Sequence, residues 1–486
     1  MYVDASSLYF VKLSIHTVYV SLFNTKQFIT AFKYSLLFLL MAWSTTYYIH
    51  SSELWSVYIS KNTFNFDFFG TISIKPLFHF VLYLFHQLPL SDVQHLYLVK
   101  FFFSLIAVLQ FFLLTEIFKK SLSENDSTKK LKQILFSLFI FSSLIYLQNF
   151  FRIRTDQVCI TLFLFFIHSH QKKRMPFYTQ LIFIGLYPLI GLKGLIFSLL
   201  HGLHLITIYK KNIFQKKYVL FQILTLTAIL IWTINIGWAG VLYFISTTQN
   251  FSDSVSVFFA WFIADFFLIM TSFVSIFNLN YQSEYEKKTS INLSLMTTAS
   301  LILIFLFPQK HSYFIASFVP LFLLNSSTFI NYLFENYLRT KNKKIIFITT
   351  IIVFISYQYS QYIKQNPYRS NAYQMQFINY AASLISLNNL SYIDGFGALP
   401  RAKNLNCFVS PSDDFTNKTC LDLVASGQPD VVILTQRLMW LIGPTENLKQ
   451  HYKDVGYNIF VKKDFEFKFQ APKEMMPGLL VFGFEQ

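Results

Sequence analysis

Charged side chains are sparse in this chain, and several stand where long apolar segments end. Glu53 and Asp67 follow the first such segment, and Lys75 comes soon after. Arg152, Arg154, Lys193, Lys310 and His311 occupy similar positions further on. A carboxylate in such a place can accept a proton from a hydroxyl. Lysines and arginines can hold a phosphate and stabilise the charge left on it by a departing group. These types fit transfer chemistry on a lipid-phosphate substrate. Glu53 is the better base, and Asp67 its reserve or a metal ligand. Lys75, Arg152, Arg154, Lys193 and Lys310 are phosphate holders. His311 fits a metal ligand or a hydrogen-bond donor, although a lone histidine is more often neither. Asp92, Asp156 and Asp253 belong to the same set. Asp156 is two residues from Arg154, and a structural ion pair is as good a reading as a functional one. For each residue the plain alternative is an anchor whose charged tip reaches the interface.

The elements that would position these groups are apolar. Of 486 residues, 54% are hydrophobic and 13% charged, with 59 Phe and 29 Tyr. Apolar runs of about 18 or more residues recur and predict spanning helices. The segments are 30–49, 93–118, 133–149, 153–169, 176–191, 194–209, 218–236, 257–278, 290–307, 312–333 and 345–361, about eleven spans. Residues 1–29 lack the pattern of a cleavable leader and predict an interfacial segment. Residues 76–89 are too short to span and predict a helix lying at the outer interface, inside a long first outer loop over 50–92.

The net charge of +16 sits in short loops between these runs. Lys119, Lys120, Lys129, Lys130 and Lys132 form one group. Lys172, Lys173 and Arg174 form the next, then Lys210, Lys211, Lys216 and Lys217. Lys287 and Lys288 follow, then Arg339, Lys341, Lys343 and Lys344. Such asymmetry predicts a cytoplasmic N-terminus. No basic face or known module accompanies the charge, which argues against nucleic acid. The expected setting is a multi-pass protein contacting membrane lipids, in an inner membrane or an endoplasmic reticulum.

Beyond about residue 362 the long apolar runs stop. Residues 371–388 read as a helix, with another around 419–426. Leu390–Ile393 and Val431–Leu434 read as short strands, and Val455, Tyr457, Ile459 and Val461 alternate like a third. An odd number of spans places this small α/β domain, 362–486, outside. Cys407 and Cys420 either close a short disulfide loop or stay as two thiols. No Cys/His spacing resembles a structural metal site. Asn250, Asn389 and Asn417 stand in Asn-X-Ser/Thr strings, glycosylation acceptors in a secretory compartment.

The order of motifs resembles the GT-C glycosyltransferases, such as protein O-mannosyltransferases and lipid A aminoarabinose transferases. Their first outer loop opens with an acidic pair and an aromatic, and Ser52-Glu53-Leu54-Trp55 is similar. Their Lys-Pro-Pro-Leu string looks like Lys75-Pro76-Leu77-Phe78, with one proline missing. A Lys-Gly at the outer end of a span looks like Lys193-Gly194. A basic-aromatic string looks like Lys310-His311-Ser312-Tyr313, running on to Pro320. Tyr392 to Gly397 and Pro429 to Ile433 look like strands of the small C-terminal domains of such enzymes. The resemblance implies a membrane all-α GT-C fold of about eleven transmembrane helices with a small extracytoplasmic α/β domain over 362–486. It also implies sugar transfer from a polyprenyl-phosphate carrier to an acceptor that the sequence leaves open, as it does a divalent metal. The first acid of the family pair is replaced by Ser52. That departure keeps a non-catalytic binder of lipid-linked sugar in view. A transporter or flippase would rest on Asp265, inside the eighth apolar segment.

Overall fold

The computed structural model describes residue 49, residues 51–61, 75–122, 128–143, 145–147, 152–171, 176–191 and 193–209, scattered positions in 219–230, residues 251–277, 284–306, 315–365, 371–405, 407, 409, 414–443, 445–465 and 475–482. Asp67, Lys310 and His311 lie outside these residues, as do the N-terminal segment and the expected span 30–49 apart from Ile49.

Local sequence explains the first helices. Helix α1 is Ser51–Ser60. Helix α2, Pro76–His86, starts on a proline, whose missing N–H and fixed φ suit a first helical position. Helix α3, Asp92–Ser121, opens with a reciprocal capping box: Gln94 N–H donates to the Ser91 hydroxyl, and Ser91 N–H donates to the Gln94 amide oxygen. It has Asp92 in its first turn and Lys119 and Lys120 in its last, the signs that a helix dipole favours. Next come α4 (Lys129–Phe141), α5 (Thr155–Gln171), α6 (Phe177–Ile190) and α7 (Gly194–Tyr209). They are followed by α8 (Phe251–Ala264), α9 (Phe266–Phe277), α10 (Glu284–Leu306), α11 (Val319–Asn336) and α12 (Lys341–Gln365).

These helices overturn the expectation of about eleven spans. Among the described residues one helix, Asp92–Ser121, is long and apolar enough to cross a membrane by length and composition. The apolar runs that fall among the described residues are helical, and several of them give short helices. The runs beginning near 133, 153, 176 and 194 give helices of 13, 17, 14 and 16 residues. At about 1.5 Å per residue even 17 residues rise about 26 Å, short of a hydrocarbon core of roughly 30 Å. The run 257–278 is divided at Asp265 between α8 and α9. Polar side chains also pack between helices. Gln110 Nε2 donates to Gln157 Oε1 at 2.8 Å, and Asn325 Nδ2 donates to the Ser272 carbonyl at 2.9 Å. Mean hydropathy in the sequence does not register such pairs.

After helix α13 (Asn371–Leu387) the chain builds a sheet. Its strands are β1 (Ser391–Ile393), β2 (Lys403–Asn404), β3 (Val431–Ile433), β4 (Tyr452–Asp454) and β5 (Ile459–Lys462). The order is β2-β1-β3-β5-β4, with β1 parallel to β2 and β3, and β5 antiparallel to β3 and β4. Helix α14 (Asp414–Ala425) links β2 to β3. Helix α15 is Gln436–Ile442, and α16 is Gly478–Val481. Val455 and Tyr457, expected in a strand, lie instead in the turn from β4 to β5. Gly456, Tyr457 and Asn458 all have left-handed φ there, which ends an extended run.

Side chains alternate across the strands. Tyr392, Val431, Ile433, Ile459 and Val461 share a core with Leu54 and Val57 of α1, Phe78 and Leu82 of α2, and Leu96, Val99 and Phe103 of α3. Ile393, Val432 and Phe460 face the other way, into a core with Cys407 and Cys420. Those two cysteines form a disulfide across 13 residues. Closing a loop of that size stabilises by about 3 kcal/mol. Reduction should therefore lower the stability of the sheet region by about 2–4 kcal/mol, read as a fall in its denaturant midpoint with and without a thiol reductant.

Candidate functional site

Glu53 lies in the first turn of α1, where the N–H groups of a helix start favour a carboxylate. It is 2% exposed. Arg152 Nε stands 3.9 Å from Glu53 Oε1. Lys100, fully buried on α3, is within electrostatic reach of both. A second carboxylate, Asp156, occupies the first turn of α5. Lys193 Nζ donates to Asp156 Oδ2 at 2.9 Å, and Arg154 Nε lies 3.6 Å from the same oxygen. Lys75 caps α2 and feels both Arg154 and Asp156. One short stretch joins the two groups: Arg152 and Arg154 flank Ile153, which is buried in the core shared by α1, α2 and α3.

The turn that carries Lys193 has glycines at 191 and 194, where the backbone packs too closely for a side chain. A Cβ on Gly194 would stand 1.8 Å from the Tyr187 carbonyl oxygen, and one on Gly191 would stand 3.0 Å from the Thr155 side chain. Pro188, inside α6, precedes this turn. The Lys-Gly string is thus a packing requirement as well as a source of charge.

Burial holds Lys75 down to about 8, with Arg154 lowering it further and Asp156 opposing. Burial also brings Lys193 down to about 8 against the pull of Asp156. His79, one turn beyond Lys75 on α2, is pushed to about 3 by burial and by Lys75, and it is neutral at ordinary pH. Around two carboxylates the structure therefore gathers Lys75, Lys100, Arg152, Arg154 and Lys193, a clear excess of positive charge. Such an arrangement can hold an anion with more than one negative oxygen.

Of the residues expected from sequence, Glu53, Lys75, Arg152, Arg154 and Lys193 come together. Asp156 enters as their ion-pair partner. Asp92 does something else: its Oδ1 accepts the backbone N–H of Arg401 at 2.6 Å and ties the sheet region to α3. The side chain of Asp253 lies outside the described residues. Asp265 accepts from the Ser143 hydroxyl and from Trp261 Nε1 at 3.1 Å, a local tie at the α8–α9 junction. Sequence reasoning missed Lys100, whose signal is the one lysine or arginine inside the run 93–118. It also missed Asp394, read there only as part of a strand. Among the described residues no three His, Cys, Asp or Glu side chains gather as a metal site. Compared with protein-family models, curated proteins and solved structures, the chain matches none of them.

Two outcomes follow from this geometry. Gly194→Ala should cost about 1–3 kcal/mol or more through overpacking against Tyr187, measured by thermal unfolding. Anion binding should weaken as pH rises through about 8, because Lys75 and Lys193 then lose charge. Stability moves the opposite way. The unfolded lysines titrate near 10.5, so between about 8 and 10.5 the unfolded chain binds more protons and the folded form gains with pH. The dissociation constant of sulfate, whose own charge is constant over this range, should rise about tenfold from pH 7 to 9. A flat profile would remove both lysines from the binding site.

Proposed function

We propose that this chain is a transferase that takes a sugar from a polyprenyl-phosphate carrier and passes it to an acceptor hydroxyl at a lipid surface. The observation that carries the reading is the excess of cations over carboxylates at one largely buried place, with Lys100 fully buried and the other four partly so. Burying charge is costly unless it is compensated. A phosphate supplies that compensation. Large apolar side chains exposed along α3 support contact with lipid: Tyr97, Phe101, Leu105, Leu109 and Phe112 recur at helical spacing, and each is at least 40% exposed.

In this reading the acceptor oxygen attacks the anomeric carbon. Its proton passes to the Glu53 carboxylate, and the bond from that carbon to the phosphate oxygen breaks. The electron pair leaves with the carrier phosphate, whose added negative charge the lysines and arginines stabilise. Asp156 orients Lys193 and Arg154 toward the phosphate. Asp67 keeps the role of reserve acid or metal ligand, Lys310 that of phosphate contact, and His311 that of metal ligand or hydrogen-bond donor, as their sequence positions suggest.

A second reading, binding of a lipid phosphate without turnover, is favoured by Ser52 in place of an acid and by the proximity of Arg152 to Glu53. A transfer assay with labelled polyprenyl-phosphate sugars separates the two. Glu53→Gln should lower transfer by about 10²–10⁴-fold while lipid-phosphate binding persists. Lys75→Ala should weaken donor binding instead. Full activity in Glu53→Gln would remove Glu53 as base. Binding without turnover from any donor in the wild type would establish the second reading.

A further inference from the structure

Glu53 sits on a helix of ten residues, and that helix is gripped at both ends by the C-terminal part of the chain. Before α1, the Ile49 N–H donates to Gln374 Oε1 at 2.7 Å, and Gln374 Nε2 donates back to the Ile49 carbonyl at 2.8 Å. Gln374 belongs to α13 and is fully buried. At the other end, the Tyr58 hydroxyl donates to the Asn404 carbonyl at 3.3 Å, and Lys61 Nζ donates to the Ala402 carbonyl at 3.1 Å. Gly397 lies flat against Tyr58, where a Cβ would stand 2.6 Å from the ring. Glu53 falls between the two grips, four residues after Ile49 and five before Tyr58.

The loop that forms the second grip is organised by Asp394. Its carboxylate is fully buried and accepts three successive backbone N–H groups, from Phe396 at 3.0 Å, Gly397 at 2.7 Å and Ala398 at 2.5 Å. The Thr435 hydroxyl donates to the Asp394 carbonyl at 2.7 Å, which ties the loop to the end of β3. Only an acceptor on both carboxylate oxygens satisfies these donors. An asparagine there would turn an N–H₂ toward a backbone N–H.

We propose that the C-terminal α/β region is a clamp on α1, with Gln374 and Asp394 as positioning residues that hold Glu53 against Arg152 and Lys100. The clamp itself stands on geometry. Its effect on turnover rests on the transferase reading above. Positioning matters because a misplacement of about 1 Å at a reacting group can cost a hundredfold in rate.

The test uses the full chain with Gln374→Met, which keeps volume but loses both bonds to Ile49, and with Asp394→Asn. Hydrogen exchange is followed at amides of α1 and, as reference, at amides 96–103 of α3. Exchange in α1 should quicken at least tenfold in both variants while the α3 reference stays unchanged. In the transfer assay kcat should fall at least tenfold, with the KM for donor changing less than twofold. Wild-type protection of α1 in Gln374→Met, or equal loosening of α1 and the α3 reference, would overturn the clamp. Absence of turnover in the wild type would sink the transferase reading and leave the exchange result to decide the clamp.

Discussion

Pairing of buried charge is the constraint on which the site depends. Exposed ion pairs contribute little, about 0–1 kcal/mol. Removing one partner of a buried pair costs about 3–5 kcal/mol, because the other charge is stranded. Asp156 is 3% exposed and faces Lys193 and Arg154, so it belongs to the second case. That single carboxylate fixes where the turn between α6 and α7 meets the start of α5. Glu53 does the same for α1 against the Arg152 segment. The glycines at 191 and 194 let the backbone approach closely at that turn.

Apolar packing supplies the frame on which those pairs close. One core runs from α1, α2 and the first half of α3 into one face of the sheet. The α/β region therefore has no separate interior on that side. Its other face closes over the disulfide and α14. Hydrogen bonds cross the same boundary: Arg401 N–H to Asp92 Oδ1, and Lys61 Nζ to the Ala402 carbonyl at 3.1 Å. Phe85 against Phe102 and Phe78 against Phe103 add ring contacts that hold α2 on α3. The geometry at Glu53 is thus a property of sequence segments more than three hundred residues apart.

The charged cluster was legible because charges are rare in this chain. Glu53, Lys75, Arg152, Arg154 and Lys193 stand out against apolar neighbours, and the fold places them together. Lys100 was hidden because one lysine within an apolar run reads as a minor defect of a span. Its role depends on Glu53 approaching from another helix, which spacing along α3 does not encode. The strands at 391–393 and 431–433 were visible as short apolar runs, whereas the turn at 455–458 was misread as strand. Alternation of side chains there mimics a strand, and only the backbone reveals the left-handed residues. The expectation of about eleven spans failed for a related reason. Hydropathy adds up residue by residue, but helix length is set by breaks such as Asp265 and Gly191. Polar residues such as Gln110 and Asn325 find partners on other helices, so their positions carry specificity that a hydropathy average erases.

Lys193 and Lys75 differ in how the protein itself answers their charge. Both carry similarly lowered pKa values, near 8. Lys193 is answered by Asp156 at 2.9 Å, so the protein itself explains why it is there. Lys75 makes no ion pair among the described residues and has Arg154 as an unfavourable neighbour. Asp156 pulls on Lys75 favourably, but without a direct ion pair. The start of α2 also sets it beside apolar surface. Lys75 precedes Pro76, and the exposed Leu77, Phe80 and Leu84 follow on the same helix. A cation thus stands at the head of a helix with an exposed apolar face.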